Sequence, residues 1–151
     1  MDRRWPVDAQ WREDYLKGAP VTHYWTTSIT KPEQLNAAIA EAFRLGDVDA
    51  FVALHTSDAT VVPPPDARPV HGRDAIRAAT APIIAMKPRM TSTAVKVVEG
   101  NGLALTHARW QLSAIAPNGE PLELHGRGTI VSVRQADGIW RIAIDDPLTP
   151  V

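Results

Sequence analysis

Residues 46–77 read GDVDAFVALHTSDATVVPPPDARPVHGRDAIR, and the order of signals within them decides the fold. Gly46 stops one helix, and Asp47 can cap the next, burying Val48, Phe51, Val52 and Leu54. Ala59–Val62 is a short β-branched strand. Pro63-Pro64-Pro65 closes it, because proline has no N–H for a neighbouring strand. Gly72 or Arg73 opens a third helix with Ile76, Ala79 and Ile83 inward, and Pro82 and Pro88 bracket its end. Two capped helices thus flank a brief strand and a proline loop.

Working outward, Thr30-Lys31-Pro32-Glu33 has the pattern of a capping box with proline in the first turn. Leu35, Ala38, Ile39, Ala42 and Phe43 follow at helical spacing up to Gly46. Downstream, Met90–Val98, Leu103–Ile115, Leu122–Arg134 and Ile139–Asp146 read as strands. They are separated by Gly100-Asn101-Gly102, Pro117-Asn118-Gly119 and Asp137-Gly138, turn chemistry that favours antiparallel hairpins. Helices first and a meander after them predict an α+β fold: three helices packed in the concave face of a strongly bent antiparallel sheet.

The 151 residues suit one domain, and 44% apolar with 22% charged residues is ordinary globular composition. Sixteen Lys and Arg against seventeen Asp and Glu leave a formal charge of -1, with no basic run. Nucleic acid and anionic membranes are therefore not expected partners. No apolar run reaches the roughly 18 residues of a bilayer span, and MDRRWPVDAQ lacks the apolar core of a secretory signal. The absence of cysteine excludes disulfides and thiolate chemistry and fits a reducing cytoplasm.

Residues 1–30 form an aromatic-rich extension ahead of a single domain over residues 31–151. The extension carries Trp5, Trp11, Tyr15, Tyr24 and Trp25, with Trp11 and Tyr15 at i, i+4 behind Asp8. It reads either as an arm packing its rings on the body or a partner subunit, or as a lid over a pocket.

Strand parity sorts the candidate site residues. Between Leu103 and Ile115 the even positions, including Ala104, Ala108, Trp110 and Leu112, are the more apolar and should meet the helices. On the last strand Trp140, Ile142 and Ile144 share a face, which carries Asp146 inward and Asp145 outward. On the middle strand Val131 and Val133 favour the odd face, bringing His125, Arg127 and Thr129 inward. That parity expects Asp146, Arg127, His125 and Trp110 around one cavity, where an acid and a guanidinium orient each other. Their competing reading is a structural ion pair. His55, His71, His107 and His125 show no ligand spacing, so no metal site is expected. No P-loop, GxSxG or GxGxxG occurs, and no organic cofactor is expected.

GDVDAFVALHTSDATVVPPP, HGRDAIRAA, LTHARWQL and DGIWRIAIDDP together resemble the SnoaL-like and ketosteroid-isomerase-like superfamily, roughly over residues 32–147. The resemblance implies the cone-shaped, cystatin-like fold of nuclear transport factors, a homodimer through the sheet's outer face, and a small-molecule pocket. It does not imply one reaction, since members include isomerases, cyclases, dehydratases, hydrolases and association domains. Carried over, the isomerase general base falls at Pro63, its oxyanion tyrosine at Ile39 and its protonated aspartate near Thr129. All three roles are empty, so steroid isomerisation by the usual residues is not expected.

Two functions from different classes remain. One is a cofactor-free acid/base enzyme on a small apolar metabolite, with Asp146 as acid or base, Arg127 stabilising negative charge and His125 relaying protons. Trp110, Thr129, Ile39 and His55 would line the substrate space. The other is a non-catalytic ligand-binding or dimerisation module, favoured by the empty isomerase positions and the aromatic arm.

Overall fold

A computed structural model describes residues 28–150. The aromatic extension, with Trp5, Trp11, Tyr15, Tyr24 and Trp25, lies outside the described residues apart from its last three positions. The described chain runs α1 (Gln34–Leu45), α2 (Val48–Ala53), β1 (His55–Val61), β2 (Val70–His71), α3 (Arg73–Ala85), β3 (Arg89–Gly100), β4 (Leu103–Ile115), β5 (Pro121–Arg134) and β6 (Trp140–Asp146). The six strands form one sheet in the order β2-β1-β6-β5-β4-β3. Its pairs are antiparallel except β1 with β6, which run parallel, so the sheet is mixed rather than wholly antiparallel. The parallel pair exists because α3 and the long hairpins separate β1 from β6 in sequence, leaving a crossover rather than a turn between them.

Local chemistry sets the element ends. Gly46 adopts a left-handed conformation (φ 68°), and its N–H closes on the Phe43 carbonyl. The Asp47 carboxylate accepts the Ala50 N–H at 2.9 Å and starts α2. At the head of α1 the capping role shifts by one residue from the expected box. Gln34 Oε1, rather than Glu33, accepts the N–H groups of Thr30 and Lys31 at 2.8 and 3.0 Å. Pro82 sits inside α3 instead of ending it, and the helix continues to Ala85.

The helices cover one face of the sheet. Leu35, Ala38, Ile39, Ala42 and Phe43 bury the predicted stripe of α1; on α3 Ile76 is buried as predicted, but Thr80 and Ile84 are buried with it while Ala79 and Ile83 are half-buried. Phe51 packs edge-on against Phe43, with ring centroids 5.5 Å apart. Ala104, Ala108, Trp110 and Leu112 face inward from β4, as parity predicts. Each large side chain buried this way contributes about 1.5–3 kcal/mol.

Three register breaks interrupt the sheet, one of them between His55 and Thr60 where β1 pairs with β6. On β3 the register slips between Ala94 and Lys96, leaving Val95 extra. On β6, Val131 pairs with Ile144 whereas Ser132 pairs with Ile142, so Ala143 is the extra residue. A bulge bends its strand and reverses the facing of everything beyond it. Trp140 and Ile142 are buried, but Ile144 is 45% exposed and Asp145 only 8%. The bulge at Ala143 therefore corrects the predicted parity: Asp145 points inward and Asp146 outward.

Candidate active site: a buried carboxyl in an apolar cavity

Between the helices and the concave face lies a cavity with a water-accessible volume of about 80 Å³. At roughly 10–15 Å³ per water centre, that is room for about six waters or one compact ring. α1 contributes Asn36, Ile39 and Phe43, while Phe51, Pro63 and Pro64 close the side by β1. Trp110 and Leu112 form the sheet wall. Among the described residues, the single ionisable group in the lining is Asp145. Among the described residues no hydrogen bond or ion pair reaches its carboxylate.

That isolation governs its acidity. Burial disfavours the charged form, and the neighbouring Asp146 charge adds to the effect, pushing the Asp145 carboxyl up to about 7 from an ordinary 3.8. Near neutrality such a group is divided between acid and base, the condition for moving a proton in either direction.

Two neutral polar side chains accompany it. Asn36 Nδ2 donates to Ser92 Oγ at 3.0 Å, which leaves the serine's own hydroxyl hydrogen free. Asn36 Oδ1 is buried without a donor. The other lining hydroxyl, Thr80, is already spent on the Ile76 carbonyl at 2.7 Å.

The cavity wall depends on glycine. Trp110 lies directly across from Gly126 in the β4–β5 ladder, and a Cβ at Gly126 would come within 2.9 Å of the indole. A Cβ at Gly128 would stand 3.4 Å from Pro147 Cα. With both side chains absent, the indole lies flat over β5 and donates its Nε1–H to the Pro147 carbonyl at 2.8 Å.

The expected site residues divide between two faces of the sheet. Trp110 and Ile39 line the cavity. The odd face of β5 turns outward, opposite to prediction, since Gly128, Ile130 and Ser132 are the buried positions. His125 and Arg127 consequently line an open trench on the outer face, with Arg109, Gln111 and residues 147–149. Thr129 also faces out and shares a 2.8 Å hydrogen bond with Thr149. Asp146 accepts the Leu148 N–H at 3.0 Å in a turn at the end of β6. His55 is fully buried under α2 rather than at the cavity. Its Nδ1–H donates to the Phe51 carbonyl at 2.7 Å, Nε2 has no partner, and burial lowers its pKa to about 4. Asp145, Asn36 and Ser92 are the polar lining that parity reasoning missed.

Among the described residues, no group of three or more His, Asp or Glu side chains is gathered as a metal would require. No helix among them is long and apolar enough to cross a membrane.

Helices in the concave face of a bent mixed sheet, enclosing a cavity entered by one acidic side chain, define an α+β cone of the nuclear-transport-factor-like class. Residues 36–143 match the SnoaL-like domain family, and the chain belongs to that family. Its backbone is similar to a conserved protein from Planctomyces limnophilus, with TM-score 0.67 and 21% identity over 78% of this chain and 93% of that one. A ketosteroid isomerase-like protein from Erwinia carotovora atroseptica gives TM-score 0.66 and 18% identity over 78% and 95%. A nuclear transport factor 2-like superfamily protein from Salmonella enterica gives 0.64 and 15% over 78% and 89%. At these identities the likeness is one of fold. No curated protein matches the chain by sequence.

Proposed function

We propose that the protein is a cofactor-free acid/base enzyme that moves a proton on a compact apolar molecule, with Asp145 as the transferring group. The observation that carries this reading is a carboxyl only 8% exposed, alone among the described residues in facing an apolar cavity, with its acidity brought near neutrality. Asp145 takes the role first assigned to Asp146. Arg127 and His125 have no part in it, because they lie on the other side of the sheet. The Asn36-backed hydroxyl of Ser92 orients a polar atom of the substrate, and Trp110, Ile39 and Phe43 supply apolar contact.

Native mass spectrometry of the purified protein should find a small molecule held in the cavity. Incubation should convert it, and Asp145→Asn should slow that conversion about 10²–10⁴-fold, the usual worth of a general acid or base. A bound molecule returned unchanged by the unmodified protein would support the alternative, a binding module without catalysis.

A second copy of the chain is the partner that best suits the sheet's outer face. Val98, Leu105, Val131 and Ile144 are cross-strand neighbours in one row over four strands, with Val98 51% and Ile144 45% exposed. A two-fold axis would lay this row against itself. Leu105→Glu should convert the dimer to monomer in sedimentation velocity, since it sets like charges against one another on a buried apolar strip. Unchanged sedimentation would remove this face as the interface.

A further inference from the structure

The polar atoms that the cavity leaves unsatisfied are mostly acceptors. They are the Asp145 carboxylate, which no hydrogen bond among the described residues reaches, and the buried Asn36 Oδ1, against one spare donor, the Ser92 hydroxyl. No lysine, arginine or histidine faces Asp145 from α1, α3, β3, β4 or the proline loop. Among the described residues, the charge that acts on it is Asp146, of the same sign. A carboxylate in such a place lacks the counter-charge that buried ions otherwise have. The rings of Phe43, Phe51 and Trp110 share the lining, and aromatic faces attract cations.

From this arrangement we infer that the cavity takes a compact apolar molecule bearing a protonated nitrogen, an ammonium or iminium group, which pairs with Asp145. The inference rests on the proton-transfer reading above and names its substrate class. It also explains how a base works without strong oxyanion donors. Removing a proton beside a ketone builds negative charge on oxygen and needs such donors. Removing one beside an iminium does not. The Asp145 carboxylate takes the hydrogen from the adjacent carbon as a proton. The C–H electron pair becomes the new C=C bond, the C=N pair withdraws to nitrogen, and a neutral enamine results. In a substrate whose next bond is a C=C, returning the same proton to the far end of that bond restores the iminium with the double bond now conjugated to it, an isomerisation with no oxidant, reductant or added group. Anionic ligands are disfavoured at the same site by the Asp145 charge.

The test compares benzylamine, benzyl alcohol and benzoate as single-ring probes in isothermal titration calorimetry of the full-length protein. At pH 8 benzylamine should bind at least tenfold more tightly than benzyl alcohol, and benzoate should be the weakest. At pH 6, where Asp145 is mostly protonated, benzylamine binding should release close to one proton, read from heats in buffers of different ionisation enthalpy. In Asp145→Asn the amine preference and the proton release should both vanish while benzyl alcohol still binds, which also shows that the variant is folded. Equal affinity for amine and alcohol, or an amine preference that survives in Asp145→Asn, overturns the inference and leaves the cavity reading standing. Binding of none of the three probes overturns both.

Discussion

Asp145→Asn is expected to stabilise the protein at pH 9 by up to about 4 kcal/mol, even as it removes the proposed proton-transfer group. The folded carboxyl titrates at about 7, and its unfolded counterpart at 3.8. A group with a raised folded value contributes its full stability below pH 3.8, and that contribution is lost as the pH climbs through 7. At about 1.36 kcal/mol per pH unit, the interval amounts to about 4 kcal/mol. Asparagine cannot ionise and escapes this loss. Denaturant unfolding at pH 9 and pH 3.5 measures it: the advantage of the variant should be large at the first and absent at the second. An equal effect at both values would mean that the side chain matters only through packing. Stability gained where function is lost is the usual mark of a group retained for chemistry rather than for folding.

His55→Gln should expose a slope of the opposite sign. The folded imidazole titrates at about 4 because burial disfavours its cation and Arg73 adds a small repulsion, although the hydrogen bond to Phe51 partly offsets this. With a lowered folded value, its contribution is complete above 6.5 and is lost as pH falls through 4, about 3 kcal/mol in all. In the unmodified protein the windows of His55 and Asp145 nearly coincide, so their effects should cancel and stability should be almost flat between pH 4.5 and 6.5. Each variant uncovers the other group. Asp145→Asn should weaken as the solution is acidified, whereas His55→Gln should strengthen. Chemical denaturation across this range checks both, and parallel slopes in the two variants would refute the assignment.

The face of β5 illustrates why side-chain pattern alone misdirected the site. Val131 and Val133 read as core, yet they lie on the outer side, where Leu105 and Ile144 make a second apolar surface. The buried side of the same strand is disguised by Gly126 and Gly128, whose missing side chains are filled by the Trp110 ring. Alternation cannot distinguish two faces that are both partly apolar. For Asp145 a signal did exist. An aspartate followed by Pro147 and Leu148 suits a turn in which its carboxylate accepts the N–H two residues on, as Asp146 does. Assigning Asp146 to that turn would have left Asp145 for the cavity. Asn36 was legible too, since with Ile39 and Phe43 it falls at i, i+3 and i+7 on one flank of α1.

By itself the sequence determined what is local: the helix stops at Gly46, the cap at Asp47, the four long strands and their turns, and the inward face of β4. Each follows from backbone freedom, capping or alternation within a few residues. The turn signal at Asp146 pointed to the right carboxyl, but the tertiary structure decided that Asp145 enters the cavity. That choice rests on one extra residue, Ala143, whose bulge is set by the pairing of β6 with β1 and β5 at once. A register shared among three strands is a property of their packing, and no short stretch of any one of them contains it.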